Sequence, residues 1–197
     1  MIAIVDLGVG NFANVEKALG GTVTDDPEVI ADSDKIVLPG VGNFGAVVDK
    51  MEHLREVLTH VVQEGKPFLG ICLGMQLLFE SSEEDKGAGL GVFQGRVVGF
   101  REVDPPHIGW NQLVLCGRNP LFTGIQSKSY FYFVHSFYVQ PAEEAVVAAR
   151  TEVRQQGKSE KFPSAVGKNN VFGTQFHPEK SGPRGKALLR NFKNLEL

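Results

Sequence analysis

Cysteine is scarce in this chain: 197 residues contain only Cys72 and Cys116, with no Cys-x-x-Cys pair. That excludes a disulfide-stapled scaffold and a cysteine zinc site, and no other metal-ligand spacing stands out. An excess of one charge is also missing. Twenty Lys and Arg face 23 Asp and Glu, for a net charge of −3 and a pI near 6.0. Without a broad basic field, nucleic acid is not an expected partner. No apolar run approaches membrane-span length, so no membrane association is expected. The opening Met1–Asp6 stretch lacks a basic segment and a cleavage pattern, so it does not read as a signal peptide. There are no repeats, no low-complexity tract and no clear linker. What remains is a 42% hydrophobic, 22% charged chain of a size that suits one domain with a real core over residues 1–197, expected in the cytoplasm as an enzyme or an enzyme subunit.

The first half alternates strand-like and helix-like segments. Ile2 to Val5, Lys35 to Leu38 and Pro67 to Ile71 read as buried strands. Helices are expected at Asn11 to Leu19, across most of Phe44 to Val62, and at Leu73 to Phe79. This alternation of continuous apolar strands with helices predicts an α/β protein with a parallel sheet covered on both faces. The second half is richer in strand signals, at Gly95 to Phe100, Leu113 to Cys116, Tyr130 to Val139, Ala145 to Arg150 and Val171 to Gln175. A last helix is expected from near Gly185 to Leu197, and Ser81 to Gly91 reads as loop.

The chemistry concentrates at Gly70-Ile71-Cys72-Leu73-Gly74-Met75-Gln76. A nucleophile between two glycines, after a strand and before a helix, is the nucleophile-elbow pattern with sulfur in place of oxygen. The glycines allow strand, turn and helix backbones to crowd. A helix N-terminus at the thiol favours thiolate. Far downstream, Gln175-Phe176-His177-Pro178-Glu179 offers a base with an acid two residues on. In an extended segment His177 and Glu179 point the same way, so the acid can hold the imidazole in one tautomer. Cys72, His177 and Glu179 are therefore a candidate triad. Cys116 lacks such a setting and reads as structural. Gly40-Val41-Gly42, between a strand and a helix, is either a plain βα turn or a loop whose N–H groups complete an oxyanion hole with the residue after the nucleophile. Gly8-Val9-Gly10 lacks the rest of a dinucleotide fingerprint. Of the other histidines, His53 and His60 read as solvated, His107 as a loop residue, and His135 as a satisfied polar group at a strand end.

Gly-Ile-Cys-Leu-Gly-Met-Gln together with Gln-Phe-His-Pro-Glu-Lys-Ser resembles the class I, triad-type glutamine amidotransferases. Within them, Asp6–Asn11, Pro39–Gly45, His107–Asn111 and Tyr132–Ser136 resemble the glutaminase subunit of imidazole glycerol phosphate synthase. The likeness spans essentially the whole chain. Leu7 and Ile108 depart from residues common there, Tyr and Met, and neither belongs to the triad. The resemblance implies a three-layer fold whose mostly parallel central sheet carries helices on both faces and extra antiparallel strands in the C-terminal half. It implies hydrolysis of L-glutamine through a Cys72 thioester, with no cofactor and no metal. The oxyanion would be held at Val41, Gly42 and Leu73, and glutamine bound by Gln76, Glu84, His135 and Ser136. His107, Ile108, Gly109, Trp110 and Asn111 would couple the site to a separate cyclase subunit with a (βα)₈-barrel fold, forming a heterodimer that uses the ammonia in histidine biosynthesis. An amidotransferase subunit of another biosynthetic synthase is the alternative.

Overall fold

Ile2 and Ile4 bury their side chains on one side of the first strand, Ala3 and Val5 on the other, and all four are shielded from solvent. Two buried faces require a cover on each, and that requirement organises the fold. The computed structural model describes residues 1–8 and 12–196. Its strands in chain order are β1 (Ile2–Val5), β2 (Thr22–Thr24), β3 (Lys35–Gly40), β4 (Phe68–Cys72), β5 (Ser81–Ser82), β6 (Gly95–Gly99) and β7 (His107–Gln112). Then follow β8 (Val114–Leu115), β9 (Tyr130–His135), β10 (Phe137–Pro141), β11 (Val147–Gln155), β12 (Lys158–Lys168) and β13 (Val171–Thr174). The helices are α1 (Phe12–Leu19), α2 (Pro27–Asp32), α3 (Phe44–Met51), α4 (Arg55–Gln63), α5 (Leu73–Gln76) and α6 (Gly182–Lys193).

Eight strands form the central sheet in the order β2-β1-β3-β4-β13-β12-β11-β8. From β2 to β13 neighbours run parallel; β12, β11 and β8 continue the sheet antiparallel. Helices α1 and α6 pack Val15, Leu19, Leu188, Leu189 and Phe192 on the face that carries Ile4, Val37 and Leu69. Helices α2 to α5 cover the opposite face, with Ile30, Phe44, Leu58 and Met75 against Val5, Leu38 and Phe68. Local chemistry sets the helix starts. Asp26 accepts from the Glu28 N–H at 2.9 Å ahead of Pro27, and Asn43 accepts from the Ala46 N–H at 3.1 Å. Two smaller sheets, β10-β6-β5 and β7-β9, sit beside the main one. Among the described residues no helix is long and apolar enough to cross a membrane, and no three His, Cys, Asp or Glu residues gather as a metal site.

Several expectations need correction. The long helix from Phe44 is broken by a 3₁₀ turn at Glu52–Leu54, and the one after Cys72 is a single turn, α5, continued by looser turns to Phe79. Tyr130 to Val139 is two strands in different sheets, broken at Ser136. The final helix starts at Gly182, with Pro183 in its first turn. His107–Asn111 is strand β7, not a loop. The longest strand, β12, carried no strand signal: charges open it, and Pro163 sits in its interior. Its pairing with β11 shifts register next to the Arg150–Pro163 pair, which accommodates the proline. Asn11 and Leu197, expected in the first and last helices, lie outside the described residues, as do Val9 and Gly10 of the first glycine-rich turn.

Candidate active site

Cys72 ends β4, paired in register with Gly40 of β3, while Ile71 before it pairs with Thr174 of β13. Two parallel neighbours thus bring the Val41 loop and the His177 segment to the same sheet edge, where α/β sheets open their binding crevices. Cys72 has φ 55° and ψ −110°, outside the regions open to L-residues, which costs about 1–3 kcal/mol. Crowding explains the flanking glycines. A Cβ on Gly70 would lie 2.6 Å from the Gly74 carbonyl oxygen, and one on Gly74 1.7 Å from that of Leu38. The Cys72 side chain is buried, with Sγ 3.8 Å from the Val134 carbonyl and 3.7 Å from Gln175 Nε2.

His177 and Glu179 are both buried, and Nδ1 lies 2.8 Å from Glu179 Oε1. The pairing does not use the extended backbone anticipated from the sequence. Pro178–Lys180 is a 3₁₀ turn, with His177 as its extended N-terminal residue. The turn is stapled to β9: the His177 N–H donates to the Tyr132 carbonyl at 2.9 Å, the Ser181 hydroxyl donates to the His177 carbonyl at 2.6 Å, and the Tyr132 N–H donates to the Ser181 oxygen at 2.9 Å. Burial alone would lower the pKa of His177, but hydrogen bonding and charge from Cys72 and Glu179 outweigh it and lift the value to about 9. The ring therefore holds its second proton at neutral pH. Nε2 makes no hydrogen bond of normal geometry, although Cys72 is close enough to favour a proton there.

A cavity of about 260 Å³ opens over Cys72. Val41, Gly42, Leu73, Gln76, Glu84, His135 and Ser136 all line it, so the structure gathers every expected oxyanion and substrate residue around the thiol. Two of those side chains are already engaged. Gln76 Nε2 donates to the Phe137 carbonyl at 3.0 Å and to Gln175 Oε1 at 3.1 Å. Both ring nitrogens of His135 are occupied, Nδ1 by the Phe137 carbonyl at 2.8 Å and Nε2 by His107 Nδ1 at 3.1 Å, so its ring has no free nitrogen for a ligand. Glu84 Oε2 accepts from the Phe44 N–H at 2.9 Å, tying the segment that follows β5 to the start of α3 just past the Val41 loop.

The strand period divides the expected coupling segment. Ile108 and Trp110 of β7 are 60% and 55% exposed, and with Tyr130 on the adjoining β9 they form an apolar surface near the cavity. His107 is buried on the other face, and Asn111 joins it there through its side-chain amide. Gln175 is the residue the sequence reasoning missed. Its signal was position: two residues before His177, it follows a strand that ends beside Cys72.

A strained strand-end thiol, a buried histidine–carboxylate pair beside it and a small cavity have the chemistry of a thiol amidase. The chain belongs to the glutamine amidotransferase class-I family, whose profile matches residues 16–195. It is 57% identical over 196 residues to the imidazole glycerol phosphate synthase subunit HisH of Thermococcus kodakarensis, spanning 99% of this chain and 100% of that one. The protein of the same name from Pyrococcus furiosus is 55% identical, with 98% of each chain covered. Among solved structures, PurLQS from Thermotoga maritima superposes with a TM-score of 0.75 at 21% identity, covering 98% of this chain and 97% of that one. The glutaminase domain of CTPS from Trypanosoma brucei, with bound acivicin, gives a TM-score of 0.65 at 17% identity over 100% and 94%. These two likenesses bear on fold alone.

Proposed function

We propose that this chain, as one amidotransferase domain over residues 1–197, is the glutaminase subunit of imidazole glycerol phosphate synthase. The observation that carries the chemistry is the buried His177–Glu179 pair at 2.8 Å, its Nε2 uncommitted, beside the Cys72 thiol. His177 enters the reaction already holding the proton given up by Cys72, and the thiolate attacks the side-chain amide carbon of L-glutamine. Glu179 holds Nδ1–H and stabilises the imidazolium. N–H groups of Leu73 and of the Val41–Gly42 loop receive the oxyanion. Collapse of the tetrahedral intermediate breaks the C–N bond while His177 Nε2 delivers its proton to the departing nitrogen, leaving ammonia and a γ-glutamyl thioester. The now neutral His177 takes a proton from water, hydroxide attacks the thioester, and glutamate leaves as the thiol is restored. Ammonia passes to a cyclase subunit with a (βα)₈-barrel fold, and the exposed Ile108–Trp110–Tyr130 surface is where that partner docks.

The test is glutamate release from L-glutamine by the chain alone and with a candidate cyclase subunit and its nucleotide ligand, with Cys72→Ser as control. Turnover that needs the full mixture and disappears in the control supports the reading. Full turnover without a partner points to a self-sufficient amidase, and no turnover in any mixture counts against the assignment.

A further inference from the structure

Next to the cavity, two buried histidines share a hydrogen bond that the chemistry above does not use. Their protons can be placed by elimination. The Phe137 carbonyl only accepts, so His135 Nδ1 must carry a hydrogen. A neutral ring then leaves Nε2 as an acceptor, and His107 Nδ1 must donate to it across 3.1 Å. That leaves His107 Nε2 as an acceptor, supplied by the Asn111 amide at 3.2 Å. The second amide hydrogen of Asn111 goes to the Glu152 carbonyl at 3.0 Å, and Asn111 Oδ1 accepts the Gln112 N–H at 2.8 Å. Every donor meets one acceptor, and no other assignment of neutral rings satisfies all the contacts. The chain runs from β11 through β7 and β9 to the first residue of β10.

Its surroundings keep it neutral. Phe100, Phe133 and Phe162 wall both rings, with centroid separations of 5.0 to 6.4 Å. Burial lowers the pKa of His107 to about 4, and burial with the charges of His107 and His177 lowers that of His135 to about 3. Other charged groups nearby are engaged elsewhere. The Glu152 carboxylate binds Arg154, and Glu160 accepts from the backbone N–H groups of Arg101 and Glu102 and from the Tyr138 hydroxyl.

We infer that His107 and Asn111 are positioning residues for the glutaminase: through the neutral His135 they lock the cavity wall Val134–Phe137 that faces the glutamine. The inference rests on the glutaminase reading. It assigns His107 and Asn111 to the pocket and leaves partner contact to the outward Ile108 and Trp110. Gln76 adds a second grip on the same wall, through the Phe137 carbonyl.

Two measurements test it. Long-range ¹H–¹⁵N spectra of the imidazoles at pH 6.5 should show His107 and His135 as neutral rings protonated at Nδ1, the tautomer a solvated histidine side chain disfavours. An Nε2–H tautomer, or a charged ring, at either position overturns the inference. In the complex with the cyclase subunit, His107→Phe keeps the ring volume but strands His135 Nε2 and an Asn111 hydrogen; glutamine kcat/KM should fall about tenfold or more, mainly through KM. His107→Gln retains one donor and one acceptor and should recover most of that loss. A folded His107→Phe protein with unchanged kcat/KM, or Gln and Phe variants equally impaired, overturns the inference. A wild-type complex that releases no glutamate instead overturns the glutaminase reading, whatever the tautomers are.

Discussion

At most positions alanine stabilises a folded chain relative to glycine by roughly 0.5–1 kcal/mol, because glycine loses more backbone freedom on folding. At position 72 the order should reverse. Cys72 sits at φ 55° and ψ −110°, and a Cβ held there costs about 1–3 kcal/mol. Cys72→Ala keeps that cost and Cys72→Gly removes it. Both variants delete the thiol, so lost sulfur contacts nearly cancel in the comparison. Setting the strain against the ordinary glycine penalty leaves Cys72→Gly more stable than Cys72→Ala by about 1.5 kcal/mol. For a chain of this length that corresponds to a melting difference of about 3–6 °C. Urea unfolding at pH 7, with m-values compared to confirm an unchanged transition, measures it. Both proteins should lack glutaminase activity. An alanine variant as stable as the glycine variant, or more so, would falsify the claim that the nucleophile is held in a strained backbone.

Four further outcomes are expected. Gly74→Ala places a Cβ 1.7 Å from the Leu38 carbonyl oxygen and should destabilise the fold by about 3 kcal/mol or more in urea unfolding; a loss under 1 kcal/mol would mean the elbow has room to relax. Glutaminase kcat/KM, which needs protonated His177, should decline as pH rises through about 9; Glu179→Gln removes one of the groups that hold the proton, so the decline should begin at lower pH and kcat should fall, and an unmoved alkaline limb counts against the pairing. His107 and His135 bind protons more weakly folded than unfolded, so their contribution is intact above pH 6.5 and fades toward the folded values of about 4 and 3; unfolding free energy should drop by about 2 kcal/mol per ring between pH 7 and 5, partly offset by His177, and His107→Gln should flatten that slope. Trp110→Ala, at an exposed position, should change unfolding free energy by less than about 0.5 kcal/mol yet weaken activation by the cyclase subunit; unaltered activation would remove Trp110 from the coupling.

Much of the architecture is legible in the chain because β1, β3 and β4 are continuous apolar runs and the elbow carries its own glycine punctuation. The antiparallel half is harder. Strand β12 opens with Lys158-Ser159-Glu160-Lys161 and contains Pro163, so local preference argues against a strand that long-range pairing with β11 and β13 nonetheless forms. In the site, Cys72, His177 and Glu179 stand out through motif and spacing, whereas the 3₁₀ turn joining the last two depends on Ser181 and Tyr132, far apart in sequence. His107 and His135 are 28 positions apart and register as a pair only because β7 and β9 align them. That His135 is a satisfied polar group at a strand end is legible in the sequence, and both of its nitrogens are engaged; that one of its partners is His107 is not.

Strand β13, last in the chain, lies in the middle of the central sheet, between β4 and β12. A ribosome therefore delivers the keystone at the end. Until it arrives, β4 presents an unpaired apolar edge, Phe68 to Ile71, for the time needed to add about a hundred residues, on the order of 5–20 s. The nascent half-sheet is a template for misplaced strands during that interval and a natural client for a holding chaperone. The same order of synthesis provides a safeguard: Cys72 emerges early, but His177 and Glu179, its proposed base and acid, follow the closing strand, so a chain that stops short of β13 lacks the proposed catalytic pair.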